Sequence, residues 1–551
     1  MIPINRTYAP VQALVDELVR CGMTDAVTSP GSRNAPLALT LAAEPRIRAH
    51  SVIDERAAGF VALGLAKASG RPVAVACTSG SAAANLMPAV VEAWEARVPL
   101  VVLTADRPPE LREVGAGQAI DQVKLYGSFA KWFVEVGNHE PSRATAVYHR
   151  ALGCRAFWTA AGGRPGPVHL NFPLREPLAP VSEELPGEDW EGRPGGVPWV
   201  QRSEASPQPV SVGLERTVRG VIVAGAGAPG PELASVAAGL GWPLLADALS
   251  GARHGEHDRS AVVAHYDVLL RIERFAGEHD PEQVFRFGDL PTSKPLRAWL
   301  QGAKQVAVDP HHTWQDPTHE SSLVVAALVL GERGHADPAW LDSWRRADAL
   351  VPPALAATPD PFEPKVWTAV AEAAPPGSLM WVASSMPVRD VEAFVPAGEK
   401  PLRFLANRGA NGIDGTIASA AGAALAHDGR AFVLLGDLAL VHDLGGLLAA
   451  RRLGVDLTVV CANNGGGNIF DYLPVAGAAD PAAFEEHVVT PSGIDLERVA
   501  ELAGMRYERA QTPDAVRAAI DRGPCLIEAP TERARNVELH RELAERVAAG
   551  L

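Results

Sequence analysis

Two apolar runs of the chain read AFVLLGD at residues 431–437 and LTVVCANNGGG at residues 457–467. Both have the length and composition of strands that are buried on two faces. The segment 443–453 between them has a helical pattern. A right-handed crossover of this kind brings both strand ends to the same carboxyl edge of a parallel sheet. The pattern therefore predicts an α/β fold in which Asp437 and Asn464 lie close together.

This sheet edge is predicted to bind a metal ion together with a diphosphate. The Asp437 carboxylate, the Asn464 amide oxygen and a backbone carbonyl leave about half of an octahedral shell for phosphate oxygens and water, which suits Mg²⁺. The glycines at 465–467 let the backbone approach such a ligand closely. Either polar dipeptide by itself is typical of a turn after a strand, but the two together with the glycine run favour the metal site.

Alternating strand and helix patterns extend over the whole chain of 551 residues, which is too long for a single hydrophobic core. They predict three doubly wound domains with mainly parallel sheets. The predicted domains are residues 1–180, 213–345 and 360–551, and the linker is residues 181–212, which are rich in Pro, Gly and charge. Ser322–Leu330 is predicted as one strand, and residues 351–364, VPPALAATPDPFEP, are interpreted as a second irregular break.

The charge and cysteine content exclude several classes of protein. Acidic residues number 65 against 50 Lys and Arg, giving a net charge of −15, which disfavours nucleic acid and anionic lipid as partners. The 5 cysteines are scattered and form no CxxC pair. Neither a signal sequence nor an apolar stretch of about 18 residues is recognisable. We therefore expect a cytoplasmic protein without integral membrane contact.

The GD and NN dipeptides resemble the diphosphate–metal motif of thiamine-diphosphate enzymes. The resemblance implies thiamine diphosphate with Mg²⁺ or Mn²⁺ as cofactors, a pyrimidine-binding first domain, a Rossmann-like central domain and a diphosphate-binding third domain. It also implies a glutamate beside the pyrimidine ring, for which Glu55, at the start of a predicted helix, is the candidate. A carboxylic acid there favours the imino tautomer, whose exocyclic nitrogen removes the C2 proton. A first-turn acid that only complements the helix dipole is the alternative.

Five longer stretches of the chain are distinctive. In chain order, they are SPGSRNAP at 29–36, TADRPP at 104–109, GAGQAI at 115–120, NRGANGIDG at 407–415 and GGNIF at 466–470. Together they resemble one family of these enzymes, the 2-succinyl-5-enolpyruvyl-6-hydroxy-3-cyclohexene-1-carboxylate synthases of menaquinone synthesis. This resemblance implies that a homodimer or homotetramer decarboxylates 2-oxoglutarate and adds the resulting succinyl-semialdehyde carbanion to isochorismate.

The same resemblance implies roles for individual residues. Asp437, Asn464 and the Gly466 carbonyl are expected to bind the metal, and Ile413 to hold the cofactor in a bent conformation. The residues expected at catalytic or substrate-contact positions are Ser32, Arg33, Glu55, Arg107, Gln118, Lys294, Ser385 and Arg389. Those expected to bind the cofactor are Glu55, Ser385, Arg408, Ile413, Gly436, Asp437, Asn464, Gly466 and Ile469, with Phe470 completing an apolar wall. The chain departs from the family pattern at Gly117, where many relatives have Asn, and at Pro295, where some have a basic residue.

The basic residues are consistent with this reading. Several arginines lie in predicted loops near strand ends of an acidic chain, and guanidinium groups bind carboxylates through two parallel hydrogen bonds. A substrate pair with several carboxylates would require such a group of arginines. For any one of them, surface ion pairing is the alternative.

Three other functions remain open at this point. GAGAPG at 225–230, followed by Asp247, matches the pattern of a dinucleotide-binding loop and would indicate an oxidoreductase. A non-catalytic member of the same fold would retain cofactor binding without turnover. A pyruvate-using decarboxylase or acetolactate synthase would need fewer carboxylate-binding arginines.

Overall fold

The computed structural model describes residues 4–185, 190–203, 207–212, 219–330 and 337–551. Within these ranges the chain forms three six-stranded sheets and one two-stranded pair. Every pairing within them is parallel, and helices lie between most successive strands. The prediction of three α/β domains with parallel sheets is therefore confirmed.

The chain packs as two compact units. One comprises residues 1–205, 407–428 and 442–456, and the other comprises residues 206–406, 429–441 and 457–551.

The first unit contains the N-terminal sheet, in the order β2-β1-β3-β4-β6-β5. Its strands are β1 (Asp25–Thr28), β2 (Arg48–Ser51), β3 (Val73–Cys77), β4 (Leu100–Asp106), β5 (Trp132–Glu135) and β6 (Val168–Pro173). Its first helices are α1 (Tyr8–Arg20), α2 (Ala35–Ala43), α3 (Glu55–Ser69), α4 (Ser81–Asn85), α5 (Met87–Glu95) and α6 (Arg143–Ala161). The four central strands are buried throughout, as the helices on the sheet require, whereas the two edge strands are partly exposed.

The second unit contains the middle sheet, in the order β10-β9-β8-β11-β12-β13, and a separate β7–β14 pair. These strands are β7 (Val210–Val212), β8 (Gly220–Ala224), β9 (Leu244–Ala246), β10 (Val262–Val263), β11 (Gln283–Phe287), β12 (Gln305–Val308), β13 (Ser321–Val325) and β14 (Leu328–Leu330). The helices of this part are α7 (Gly230–Leu240), α8 (Tyr266–Leu270), α9 (Glu273–Glu278), α10 (Lys294–Trp299), α11 (Pro338–Asp348) and α12 (Val351–Ala356).

Two predictions for this part of the chain are wrong. The single strand expected at Ser322–Leu330 is divided, because β13 pairs with β12 whereas β14 pairs with β7. The break expected at residues 351–364 contains α12. Pro352 and Pro353 lie in the first turn of this helix, where a backbone N–H has no intrahelical acceptor and proline is tolerated.

The C-terminal sheet has the order β16-β15-β17-β18-β20-β19. Its strands are β15 (Ser378–Val382), β16 (Leu402–Leu405), β17 (Ala431–Gly436), β18 (Leu457–Asn463), β19 (Tyr507–Arg509) and β20 (Leu526–Pro530). The helices of this part of the sequence are α13 (Glu363–Ala373), α14 (Met386–Phe394), α15 (Thr416–Leu425), α16 (Asp437–His442), α17 (Leu444–Leu453), α18 (Val475–Ala478), α19 (Pro481–Phe484), α20 (Leu496–Ala503), α21 (Pro513–Asp521) and α22 (Arg533–Gly550). The helix predicted at 443–453 is confirmed as α17.

Helix α15 belongs to the first unit because it packs directly against α3. A Cβ atom at Gly64 of α3 would lie 1.8 Å from the Ser419 carbonyl oxygen, and one at Gly422 of α15 would lie 2.0 Å from the Val61 carbonyl oxygen. Glycine at both positions therefore allows the two helix backbones to touch. Asp443 stabilises the start of α15 by accepting hydrogen bonds from the backbone N–H of residues 417 and 418.

Among the described residues, no helix combines the length and the apolar character that crossing a bilayer requires.

Candidate active-site residues

In the second unit, the two ends of the GD and NN motif are adjacent. Strands β17 and β18 pair in parallel, with Gly436 opposite Ala462, so that Asp437 and Asn464 follow at the same carboxyl edge. Asp437 is 1% exposed, and its Oδ2 atom has no hydrogen-bond partner among the described residues. The same holds for Asn464 Oδ1, which is also buried.

These two oxygens fit the divalent cation that the sequence predicts. A buried polar atom without a partner is costly, and carboxylate and amide oxygens are the ligands that Mg²⁺ accepts. The Asn464 Nδ2 group donates a hydrogen bond of 2.9 Å to Glu363 Oε1, which leaves Oδ1 as the free end of the amide. The Gly466 carbonyl accepts a hydrogen bond of 3.0 Å from the Asn468 N–H and retains one lone pair.

The electrostatics of Asp437 agree with a cation site. Burial raises the pKa of Asp437 to about 6, although backbone N–H groups of Leu438 and Gly466 oppose the shift. A divalent cation supplies the opposite charge that a buried carboxylate needs to remain ionised.

The glycine run is explained mainly by packing within the protein. Gly466 has a φ angle of +144°, and a Cβ atom there would lie 2.6 Å from Val489 Cγ1. The Gly467 N–H also donates a hydrogen bond of 2.8 Å to the Val489 carbonyl. Close packing against Val489 therefore accounts for Gly466 and Gly467 before any ligand is considered, whereas a Cβ atom at Gly465 would meet nothing within 4 Å.

Ser385 and Arg389 lie at the start of α14. Ser385 has φ +75° and ψ −136°, a strained conformation for a residue with a side chain, and such strain is concentrated at functional sites. Arg389 donates a hydrogen bond to the Ser385 carbonyl, which fixes the guanidinium near this turn. Burial lowers the pKa of Arg389, and the positive charge of Arg297 contributes in the same direction. The structure thus brings together Ser385 and Arg389.

The side chains of the other candidate residues in the second unit are more exposed to solvent than that of Asp437. Lys294 is exposed at the first position of α10, a helix that Ser293 caps through the Leu296 N–H. Ile469 and Phe470 are half-buried in the short helical turn Asn468–Tyr472.

In the first unit, Glu55 is the first residue of α3 and is half-buried. The helix end is capped by its neighbour Asp54, whose Oδ1 accepts a hydrogen bond of 2.8 Å from the Arg56 N–H. The Glu55 carboxylate forms no hydrogen bond or ion pair with the described residues. Its carboxylate is therefore available for a ligand.

Arg33 and Arg107 form a second cationic group in the first unit. Arg33 is 9% exposed and donates to the Leu174 carbonyl, but its Nε atom is buried without a partner among the described residues. Burial, followed by the positive charge of Arg107, lowers the pKa of Arg33. Arg107 donates a hydrogen bond of 2.9 Å to the Gly117 carbonyl, beside Gln118. Glu176 lies 3.9 Å from the Arg33 guanidinium and balances part of this charge, so the unsatisfied Nε donor is the feature that suits the pair to binding an anion.

The remaining candidates of the first unit lie on loops. Ser32 and Gln118 are exposed, and Gln118 has a φ angle of +55°. Arg408 and Ile413 are half-buried in the segment 407–415. Glu92, 3% exposed, holds this segment by accepting hydrogen bonds from the N–H groups of residues 409 and 410.

In the dinucleotide-like loop that follows β8 of the middle sheet, backbone atoms of the protein occupy the space beside two of the glycines. A Cβ atom at Gly225 would lie 1.6 Å from the Asp289 carbonyl oxygen, and one at Gly230 would lie 2.5 Å from the Ser250 carbonyl oxygen. The Asp247 carboxylate accepts a hydrogen bond of 2.7 Å from the Leu249 N–H. Internal packing thus explains two of the three glycines of this loop, Gly225 and Gly230, and helix-turn capping explains the acid.

Three thiamine pyrophosphate enzyme families match the chain. The N-terminal TPP binding domain matches residues 10–125, the middle domain matches residues 188–342, and the C-terminal TPP binding domain matches residues 389–529. These matches confirm the predicted cofactor class and the three-domain α/β fold.

Curated relatives match over the whole chain, and all three described here are named 2-succinyl-5-enolpyruvyl-6-hydroxy-3-cyclohexene-1-carboxylate synthase. The protein of Geobacillus thermodenitrificans is 43% identical, over 98% of this chain and 96% of the relative. That of Myxococcus xanthus is 43% identical, over 98% and 97%, and that of Thermobifida fusca is 44% identical, over 100% of both. This chain therefore belongs to the thiamine-diphosphate-dependent family of 2-succinyl-5-enolpyruvyl-6-hydroxy-3-cyclohexene-1-carboxylate synthases.

Proposed function

We propose that the chain decarboxylates 2-oxoglutarate and adds the resulting four-carbon unit to isochorismate in a 1,4-addition. The products are CO₂ and the cyclohexene carboxylate for which the relatives are named. The observation that carries the proposal is the pair of unpartnered buried oxygens, Asp437 Oδ2 and Asn464 Oδ1, at the sheet edge predicted to hold the cofactor metal.

The cofactor residues have distinct tasks in this proposal. Asp437, Asn464 and the Gly466 carbonyl hold Mg²⁺ or Mn²⁺, and Gly436 and Ile469 lie beside them in sequence. Glu55 would contact the pyrimidine ring of the cofactor and hold a proton there, and Ile413 would pack against the bound cofactor. When bound, thiamine diphosphate supplies the nucleophile and the electron sink that decarboxylation of a 2-oxoacid needs.

The basic groups bind the substrate carboxylates. In the first unit, the unsatisfied Nε donor of Arg33 and the charge of Arg107 attract an anion, which also relieves their mutual repulsion. In the second unit, Arg389 provides a partly desolvated cation for another carboxylate. Ser32, Gln118, Lys294, Ser385 and Arg408 complete the proposed contacts.

We further propose that the active unit is at least a homodimer in the cytoplasm. Glu55 and Asp437 must act on the same cofactor, and the family resemblance implies that they come from different subunits. We also propose that the chain has three domains. They are residues 1–180, 213–345 and 360–551, and each contains one of the three large sheets.

One assay tests the function directly. The purified chain is incubated with thiamine diphosphate, Mg²⁺ and 2-oxoglutarate, and CO₂ release is followed with and without isochorismate. We expect isochorismate to be consumed in step with CO₂, and pyruvate to be a poor replacement for 2-oxoglutarate. Equal decarboxylation of pyruvate, or CO₂ release without consumption of isochorismate, would contradict the proposal.

A further inference from the structure

A buried glutamate that the sequence motifs do not include contacts the candidate metal ligand Asn464. Glu363 is the first residue of α13 and is 1% exposed. Its Oε1 atom accepts hydrogen bonds of 2.9 Å from both Asn464 Nδ2 and Thr531 Oγ1. Two donors therefore converge on one oxygen.

We propose that Glu363 is a positioning residue that fixes the Asn464 amide with Oδ1 directed to the metal. An amide can present either an acceptor oxygen or a donor NH₂ group, and only the oxygen can bind a cation. Since Glu363 Oε1 accepts from Nδ2, the hydrogen bond selects the orientation in which Oδ1 remains free. The inference rests on the proposed function, in which Asn464 binds the metal.

The surroundings of Glu363 hold it in place. Its backbone N–H lies 3.4 Å from Asn536 Oδ1, and the Asn536 Nδ2 group donates a hydrogen bond of 3.0 Å to Asn468 Oδ1. Asn468 belongs to the GGNIF stretch that follows the metal motif. Glu363 is thus connected to the metal-binding loop on two sides, through Asn464 and through Asn536. Groups that orient metal ligands in this way commonly change metal affinity by about 10–100-fold when they are removed.

The test is the affinity of the full chain for Mn²⁺ in the presence of thiamine diphosphate, measured by electron paramagnetic resonance of free Mn²⁺. Glu363→Met keeps the volume but removes the acceptor, and we expect the Kd for Mn²⁺ to rise about 10–100-fold. Glu363→Gln keeps an acceptor oxygen, and we expect it to stay within about threefold of the unchanged chain. Glu363→Asp keeps a carboxyl group but withdraws the acceptor oxygen from Asn464, and we expect an intermediate loss.

Measurements in the Asn464→Ala background distinguish a positioning role of Glu363 from a general disturbance of the fold. If Glu363 acts through Asn464, then adding Glu363→Met to Asn464→Ala changes the Kd by less than about twofold. Normal Mn²⁺ affinity in Glu363→Met and Glu363→Asp, or an equal loss in both backgrounds, overturns the inference. An Asn464→Ala variant that binds Mn²⁺ normally overturns the proposed metal site itself, so the two failures are distinguishable.

Discussion

Replacing Glu55 by Gln should abolish most of the activity while leaving the fold intact. Glu55 is half-buried and has no hydrogen-bond partner among the described residues, and the cap of α3 is provided by Asp54. The stability contribution left to Glu55 is its interaction with the helix dipole, which is about 0.3–1 kcal/mol. General acid–base contributions are typically about 10²–10⁴-fold in rate, or roughly 3–5 kcal/mol of barrier. The kinetic loss should therefore far exceed the loss in stability.

Two measurements on the Glu55→Gln variant check this reasoning. The first is kcat/KM for CO₂ release from 2-oxoglutarate with isochorismate present, and the second is the urea-induced unfolding of the same protein. Asp54→Asn is the matched control, since it removes one negative charge from the same helix end and keeps a side chain that can cap. We expect the control to retain activity within about threefold of the unchanged chain. A Glu55→Gln variant with near-normal turnover would refute the assigned role.

Three further predictions concern packing, substrate binding and assembly. Gly64→Ala should destabilise the protein by about 1–3 kcal/mol, because the added methyl group collides with the Ser419 carbonyl; a normal midpoint of thermal unfolding would contradict the close helix contact. Arg389→Ala should lower kcat/KM by about 10–150-fold for one substrate more than for the other, since a charge-assisted hydrogen bond is worth about 1.5–3 kcal/mol; equal losses for both substrates would argue against a specific carboxylate contact. Mixing inactive Glu55→Gln with inactive Asp437→Ala should restore part of the activity through hybrid dimers, and an active monomer found by sedimentation would exclude shared sites.

The central strands of each sheet could be predicted from the sequence, but several edge strands could not. Ala431–Gly436 lies where its apolar run predicts it, because a strand covered on both sides must be apolar throughout. Trp132–Glu135 is a partly exposed edge strand of only 4 residues, and so short a run carries too weak a pattern to predict a strand. Ser322–Leu330 reads as one strand because the pattern carries no information about which neighbour each half pairs with.

The residues of the candidate site also differ in whether the nearby sequence is sufficient to predict them. The GD and NN motif is local, so the adjacency of Asp437 and Asn464 follows from one crossover between neighbouring strands. Glu363 lies 101 positions from the amide that it contacts, at the start of a helix whose sequence shows no sign of a metal. A residue that orients a metal-binding side chain without binding the metal itself can therefore be identified only from the structure.

For Glu55, the structure adds an observation that bears on the two roles that the sequence leaves open. Asp54 and Glu55 both stand at a helix start, where either acid could cap the helix or complement its dipole. The Asp54 side chain accepts the hydrogen bonds of the first turn, and so satisfies the local requirement for an acid. A second carboxylate at the next position is then not needed as a cap, and its remaining structural contribution is the interaction with the helix dipole. This division of labour, rather than the presence of an acid at a helix start, is the physical argument that supports the proposed catalytic role of Glu55.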